Sequence, residues 1–221
     1  MKNKWISASV LAADFAHLAV DVDRMVAAGV DWIHFDVMDH HYVPNLSVGP
    51  MVCRALRQAG LAAPVDVHLM VTHPADYVDA FAKAGANLIS FHPETVQDVG
   101  GLLQQIRNQG MKTGLVFNPD QEVLISEDEL SHVDMVMLMS VFPGFGGQSF
   151  IDETIGRIVS LRQRLDQGRH DIMLAVDGGV CIDNVRQVSE AGADYFVMGS
   201  GLFGADDYAE RVQDVRVAMT V

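Results

Sequence analysis

The 221 residues carry 15 lysines and arginines against 29 aspartates and glutamates, which argues against nucleic acid or an anionic membrane as a partner because phosphate surfaces are bound by basic clusters. Hydrophobic residues make up 49% of the chain, enough for one core, and we expect a single domain over residues 1–221. No apolar run is long enough to predict a membrane span, and the widely separated Cys53 and Cys181 predict free thiols in a cytoplasmic protein.

The predicted elements alternate between short apolar runs and helix-length amphipathic stretches, a pattern typical of βα units. Because Asp14 interrupts the apolar start, we interpret that start as a first strand rather than a signal peptide. The helix expected within 121–132 has poor apolar spacing, since it contains Glu127, Asp128 and Glu129. The predicted strands cover residues 5–10, 32–37, 65–70, 88–91, 112–117, 135–139, 172–176 and 195–198.

Eight such strands in this length predict a closed (β/α)8, or TIM, barrel. The alternative is an open doubly wound sheet, but Ser9-Val-Leu-Ala-Ala-Asp14 stands where that fold would carry G-x-G-x-x-G. A repeat supports the barrel, since Ala28-Gly-Val-Asp31, Ala84-Gly-Ala-Asn87 and Ala191-Gly-Ala-Asp194 each precede a strand. Glycine at that junction would end a helix in the left-handed conformation.

Polar side chains recur at alternate positions of two predicted strands. His34 and Asp36 share one face of the second strand, and Asp66 and His68 share one face of the third. Asp177 follows the seventh strand. Active sites of such barrels form at the carboxyl ends of the strands, where these side chains are expected to meet.

The side chains of His34, Asp36, His68 and Asp177 form a mixed nitrogen and oxygen donor set, which suits divalent Zn, Fe(II), Mn or Co. A lone inward histidine is more often a hydrogen-bonded core residue. Because three strands supply such groups, we expect one metal ion per chain. His92, at the end of the fourth strand, fits either a core or a site role.

Asp36 and Asp177 come from well-separated strands and could flank a substrate. Inversion beside a carbonyl requires a base on one face and an acid on the other, so burial and the metal would have to set different pKa values for the two carboxyls. Met38, Met70 and Met139 share a strand-end position. They are either core fillers or an apolar cap that excludes water from the reacting carbons.

Glycine-rich segments follow the last three strands: Pro143-Gly-Phe-Gly-Gly-Gln148, Gly178-Gly179 and Gly199-Ser200. Barrels commonly bind phosphate at these loops through backbone amides, which glycine lets approach closely. One loop of this kind would be an ordinary turn, but three adjacent loops predict a phosphate site. Since the loops contain no Lys or Arg, amide capture would explain phosphate binding by an acidic protein.

Taken in order, these motifs resemble the ribulose-phosphate 3-epimerase family over nearly the whole chain. The resemblance implies a (β/α)8 barrel that interconverts ribulose 5-phosphate and xylulose 5-phosphate in the pentose phosphate pathway, and we also expect a homo-oligomer. The matching segments are Ser7-Ala-Ser-Val-Leu-Ala-Ala-Asp-Phe15, His34-Phe-Asp-Val-Met-Asp39, His41-Tyr-Val-Pro-Asn-Leu46, Asp66-Val-His-Leu-Met70, Pro143-Gly-Phe-Gly-Gly-Gln148, Asp177-Gly-Gly179 and Gly199-Ser200.

The resemblance also implies roles for individual residues. Asp36 would accept the proton and Asp177 would donate it, and both would bind the metal together with His34 and His68. Ser9 and His68 would contact the sugar. The residues implied at the phosphate end are Gly144, Phe145, Gly146, Gly147, Gly178, Gly179, Gly199 and Ser200.

Two positions depart from the family's pattern. Phe142 replaces a usual polar residue before Pro143, and Ala175 replaces the acidic residue common two positions before Asp177. Neither removes a proposed metal ligand, but both leave room for a different substrate length or a differently tuned metal site.

Three alternatives to this function remain open. A sister family with overlapping motifs acts on allulose 6-phosphate. A related phosphosugar decarboxylase would need a lysine near the second or third strand, and none lies between Lys4 and Lys83. A non-catalytic phosphosugar-binding barrel would have no use for two opposed carboxylates, Asp36 and Asp177.

Overall fold

Eight parallel strands close into a barrel in the computed structural model, which describes residues 3–168 and 171–220. Strands adjacent in sequence pair with each other, and the last closes the ring against the first. The predicted (β/α)8 barrel is confirmed, and the open doubly wound sheet is excluded. Residues 1, 2, 169, 170 and 221 of the predicted domain lie outside the described residues. The strands are β1 (Trp5–Ser9), β2 (Trp32–Met38), β3 (Val65–Met70), β4 (Leu88–Phe91), β5 (Lys112–Phe117), β6 (Met135–Met139), β7 (Met173–Asp177) and β8 (Tyr195–Met198).

Helices follow the strands along the described chain. The helix expected within 121–132 is only four residues long. It begins at a capping box formed by the Ser126 hydroxyl and the Glu129 carboxylate. No helix within the described ranges is long and apolar enough to cross a membrane. The helices are α1 (Leu18–Ala27), α2 (Pro50–Gln58), α3 (Ala75–Ala84), α4 (Val99–Asn108), α5 (Glu127–Leu130), α6 (Thr154–Gln167), α7 (Val185–Glu190), α8 (Ser200–Phe203) and α9 (Tyr208–Thr220).

The bounds of three strands differ from the prediction by one residue. β1 ends at Ser9 rather than residue 10, because a 3₁₀ turn begins there and the Ser9 hydroxyl accepts from its Leu11 amide. β2 extends to Met38. β7 is shifted forward by one, so that Asp177 is its last residue rather than the first residue after it.

Residues of opposite parity lie on opposite sides of the barrel wall. Ile33 and Phe35 belong to the apolar layer between the strands and the helices, whereas Met137 and Tyr195 fill the barrel interior. Burying an apolar side chain of this size contributes about 1.5–3 kcal/mol. This burial fixes the strand faces, so the polar side chains that alternate with Ile33 and Phe35 point into the barrel.

The Ala-Gly repeat has a structural consequence at the amino end of the barrel. Gly29, Gly85 and Gly192 take positive φ values of 102°, 92° and 117°, as predicted. The acidic or amide residue that follows in each repeat, and Asp134 before β6, accepts a backbone N–H from the preceding strand at 2.7 to 2.9 Å. Each also accepts from an arginine at 2.7 to 3.3 Å. These amino-end acceptors are Asp31, Asn87, Asp134 and Asp194.

Candidate active site

The four predicted metal ligands meet at the carboxyl end of the barrel. Nε2 of His34 lies 3.3 Å from Oδ1 of Asp36 and 3.8 Å from Oδ2 of Asp177. Nδ1 of His68 lies 3.5 and 3.6 Å from the same two oxygen atoms. One donor atom from each residue lies within 4.8 Å of the others. Strands β2, β3 and β7 therefore bring these side chains into one cluster.

The donor atoms suit a divalent ion. Atoms bound to such an ion at about 2.1 Å stand about 3.0–3.4 Å apart, close to the separations in this cluster. Nδ1 of His68 is buried and has no hydrogen-bond partner in the described part of the chain. An unpaired buried nitrogen is costly unless a ligand satisfies it, and the cluster of His34, Asp36, His68 and Asp177 could therefore hold a metal.

His34 is held from behind by a fully buried carboxylate, Asp66. Oδ1 of Asp66 is hydrogen-bonded to Nδ1 of His34, while Oδ2 accepts from the Ser7 hydroxyl at 2.6 Å and from the Tyr195 hydroxyl. These bonds fix the ring with Nε2 toward Asp36. Sequence reasoning placed Asp66 on the inner face without a role and did not find Ser7 or Tyr195.

His68 has a different partner behind it. Its Nε2 lies 2.9 Å from Nε2 of His92, which is fully buried after β4. The Tyr42 ring packs on His92 with centroids 4.8 Å apart, and Nδ1 of His92 faces Oε1 of Glu94 at 3.6 Å. Burial lowers the pKa of His92 to about 4. The structure thus resolves the open interpretation of His92 in favour of a residue beside the site.

The two aspartates have pKa shifts in opposite directions. Burial alone would raise the pKa of Asp36, but the positive charge and hydrogen bond of His34 outweigh it and hold that pKa well below its usual value. Burial, followed by the negative charge of Asp36, raises the pKa of Asp177. Asp36 is therefore the charged carboxylate of the pair, and Asp177 is the one that retains a proton more readily.

A cavity of about 810 Å³ opens above the cluster. Ser9, Asp36 and Asp177 contribute to its lining, and the Ser9 hydroxyl donates to Oδ2 of Asp36 at 2.6 Å. The three methionines singled out from the sequence are almost fully buried and also line the cavity. They are core side chains that also line the cavity, and their role as an apolar cap stays a prediction. They are Met38, Met70 and Met139.

The lining of the cavity is also rich in glycine. Four of these glycines have positive φ. A Cβ added to Gly179 would lie 2.5 Å from the Phe150 backbone nitrogen, so the loops after β6 and β7 are packed too closely for a side chain there. All residues predicted at the phosphate end line this one cavity: Gly144, Phe145, Gly146, Gly147, Gly178, Gly179, Gly199 and Ser200.

The two departures from the family pattern supply no ligand to the metal cluster. The Phe142 side chain is 54% exposed, and only its carbonyl takes part in the loop, accepting from Nε2 of Gln148 at 2.7 Å. Ala175 is fully buried in the barrel interior, where it is paired with Met137 and Tyr195 on the neighbouring strands. Neither side chain contributes an atom to the cluster.

The chain is similar to known proteins over nearly its whole length. The model of the ribulose-phosphate 3 epimerase family matches residues 5–203. A ribulose-phosphate 3-epimerase of Serratia marcescens is 51% identical over 208 residues, covering 94% of this chain and 99% of that protein. One of Escherichia coli strain K12 is 48% identical over 216 residues, with 98% and 96% covered. KGPDC from Streptococcus mutans has a similar fold, with a TM-score of 0.71 at 12% identity over 99% of this chain and 98% of that one.

Proposed function

We propose that this chain interconverts D-ribulose 5-phosphate and D-xylulose 5-phosphate. The chain belongs to the ribulose-phosphate 3-epimerase family. The reaction inverts C3 of a phosphorylated ketose. The proposal is supported above all by two carboxylates that line one cavity together with a set of glycines and have pKa shifts in opposite directions.

Inversion at C3 follows from a base and an acid on opposite faces of the substrate. Asp36, held charged by His34, removes the C3 proton. Asp177, which retains its proton more readily, returns one to the other face. The reverse reaction uses the same two carboxyls with exchanged roles, and the Ser9 hydroxyl keeps Asp36 oriented throughout.

The metal ligands in this proposal are Nε2 of His34, Oδ1 of Asp36, Nδ1 of His68 and Oδ2 of Asp177. A divalent ion bound there would supply positive charge against the negative charge that develops on the substrate oxygens. Zn, Fe(II), Mn and Co all accept this donor set. Asp66 holds His34 in the orientation that the ion requires.

The phosphate group binds at the glycine-rich side of the cavity in this proposal. Backbone amides of the loops that carry Gly144, Gly178 and Gly199 donate to it, without a lysine or arginine from those loops. Met38 and Met70 cover the reacting carbons and keep water away from them. The substrate thus spans from the carboxylates to the glycine loops.

The deciding experiment compares kcat/KM for D-ribulose 5-phosphate and D-allulose 6-phosphate on one protein sample of measured metal content, in deuterated water. We expect the pentose to be preferred and one deuterium to enter its C3 position. A preference for allulose 6-phosphate would transfer the assignment to the hexose epimerase, and turnover without deuterium at C3 would refute the two-carboxyl scheme.

A further inference from the structure

His68 uses both ring nitrogens within the site. Nδ1 faces Asp36 and Asp177 at 3.5 and 3.6 Å, while Nε2 lies 2.9 Å from Nε2 of His92. Both imidazoles are fully buried. Because the described chain offers Nδ1 of His68 no hydrogen-bond partner, the contact with His92 is the direct restraint on the direction in which this ring points.

The 2.9 Å separation between the two Nε2 atoms requires a proton on one of them. A ring that presents Nδ1 to a metal carries its proton on Nε2, so His68 is the donor and His92 the acceptor. The proton of His92 then resides on its Nδ1, which faces Glu94. With a metal at Nδ1 of His68, this one contact sets the tautomers of both rings.

We propose that His92 is a positioning residue that accepts the Nε2–H of His68 and thereby holds Nδ1 of His68 toward the metal. The inference rests on the proposed metal site and adds to it a residue that is not itself a metal ligand. It also explains why a histidine is buried directly behind another one.

A hydrogen-bonded group beside His92 is formed by Tyr42, Glu94 and Asn118, which follow β2, β4 and β5. The Tyr42 hydroxyl donates to Oε1 of Glu94 at 2.7 Å, and Nδ2 of Asn118 donates to the Tyr42 oxygen at 2.7 Å and to Oε1 of Glu94 at 3.2 Å. The Tyr42 ring covers the His92 ring. The carboxylate opposite Nδ1 of His92 is therefore held by Tyr42 and Asn118, which follow β2 and β5.

The two metal-facing imidazoles consequently have unlike support. His34 is backed by the carboxylate of Asp66, whereas His68 is backed by the imidazole of His92. Loss of an outer partner of this kind typically weakens metal binding about 10- to 100-fold. The same loss is expected on removal of the His92 acceptor.

The test measures Mn²⁺ and Zn²⁺ dissociation constants by calorimetry on metal-free protein. His92→Phe keeps a ring but removes both nitrogens, and His92→Gln restores an acceptor at comparable reach. Ser90→Ala is the matched control, since Ser90 is buried on β4 two residues earlier and bonds only the Val67 carbonyl. We expect His92→Phe to weaken binding about 10- to 100-fold, His92→Gln to recover most of it, and Ser90→Ala to bind like the wild type.

Equal affinity in His92→Phe and the wild type would overturn the inference, and so would equal losses in the Phe and Gln variants, which would mean packing alone. If His92→Phe does not fold, His92→Asn replaces it, because its amide is one methylene too short to reach His68. Wild-type protein that epimerises ribulose 5-phosphate but binds neither ion would refute the metal site and this inference together. Wild-type protein that binds both ions, with His92→Phe weakened, but lacks epimerase activity would refute only the proposed function.

Discussion

Ser9 donates its hydroxyl to Oδ2 of Asp36 at 2.6 Å, which leaves Oδ1 of the same carboxylate to face His34 and His68. The two oxygens of the proposed base therefore have separate tasks. A hydrogen bond to a charged group contributes about 1.5–3 kcal/mol, so we expect Ser9→Ala to lower kcat at least about 10-fold. Ser160→Ala, at an exposed hydroxyl of α6, is the control and should leave kcat unchanged; an unaffected Ser9→Ala enzyme would mean that Asp36 needs no orientation.

The charge of the two site carboxyls can be removed without changing their shape. Asp36→Asn and Asp177→Asn should each lower kcat by about 10²–10⁴-fold or more, because each removes one member of the acid–base pair. Steady-state assays with ribulose 5-phosphate measure the loss, and the exposed Asp183→Asn serves as the control. Normal turnover in either site variant would eliminate that residue as a proton carrier.

Removal of the metal should affect activity and stability together. We expect chelated protein to lose epimerase activity, to melt at a lower temperature, and to regain both with Zn, Fe(II), Mn or Co. Full activity in protein verified to be free of metal would contradict the proposal.

Metal affinity should also depend on pH. Burial would lower the pKa of His34, but Asp66 and Asp36 raise it instead, and the pKa of His68 is raised by Asp177 and Asp36 against the same burial. Protons therefore compete with the ion for the two imidazoles at pH values above the usual pKa of histidine. Mn²⁺ affinity should accordingly fall as the pH is lowered from about 8 to about 6. Calorimetry across this interval measures the change; a constant affinity would be inconsistent with histidine ligands.

The close approach of two loops at Gly179 can be tested with a matched glycine. Gly179→Ala would bring Cβ to 2.5 Å from the Phe150 nitrogen, whereas Gly110, also at positive φ, has open space around the same position. Both alanines carry similar backbone strain of about 1–3 kcal/mol. We expect KM for ribulose 5-phosphate to rise about 10-fold or more only in Gly179→Ala. Equal KM values in the two variants would mean that the loop at Gly179 takes no part in phosphate binding.

The amino end of the barrel allows a stability prediction that is separate from chemistry. Asp194→Ala would leave the buried Leu174 amide without its 2.7 Å acceptor and remove a partner of Arg162. The expected cost is about 1–3 kcal/mol, or a Tm lower by roughly 3–9 °C, with kcat unchanged. The exposed Asp206→Ala should leave Tm unchanged, and thermal unfolding of both variants measures the difference.

The strands and the four donor residues could be predicted because both depend on parity within one strand. His34 and Asp36, or Asp66 and His68, reveal their shared face by the i, i+2 spacing alone. Asp177 was found from its position at the end of the predicted seventh strand, although that strand was placed one residue early.

Contacts between strands could not be predicted in this way. The stagger of neighbouring strands around the barrel decides which side chains meet across strands. It brings the hydroxyls of Ser7 and Tyr195 to Asp66, and it brings His92 to His68. The bounds of the short α5 could not be predicted from hydrophobic periodicity, because four residues are too few to show a 3.6-residue period. The capping box of Ser126 and Glu129 marks only the start of this helix.

The amino-end acceptors recur once every two strands. Four side chains therefore bond the backbone of the strand before them at the end of the barrel opposite the cavity, and each helps to align a pair of neighbouring strands. These acceptors lie apart from the loops at the cavity end. Selection for another phosphorylated substrate can therefore change the residues of those loops while the amino-end acceptors stay the same. In this fold, the evolution of specificity and the inheritance of architecture are separable.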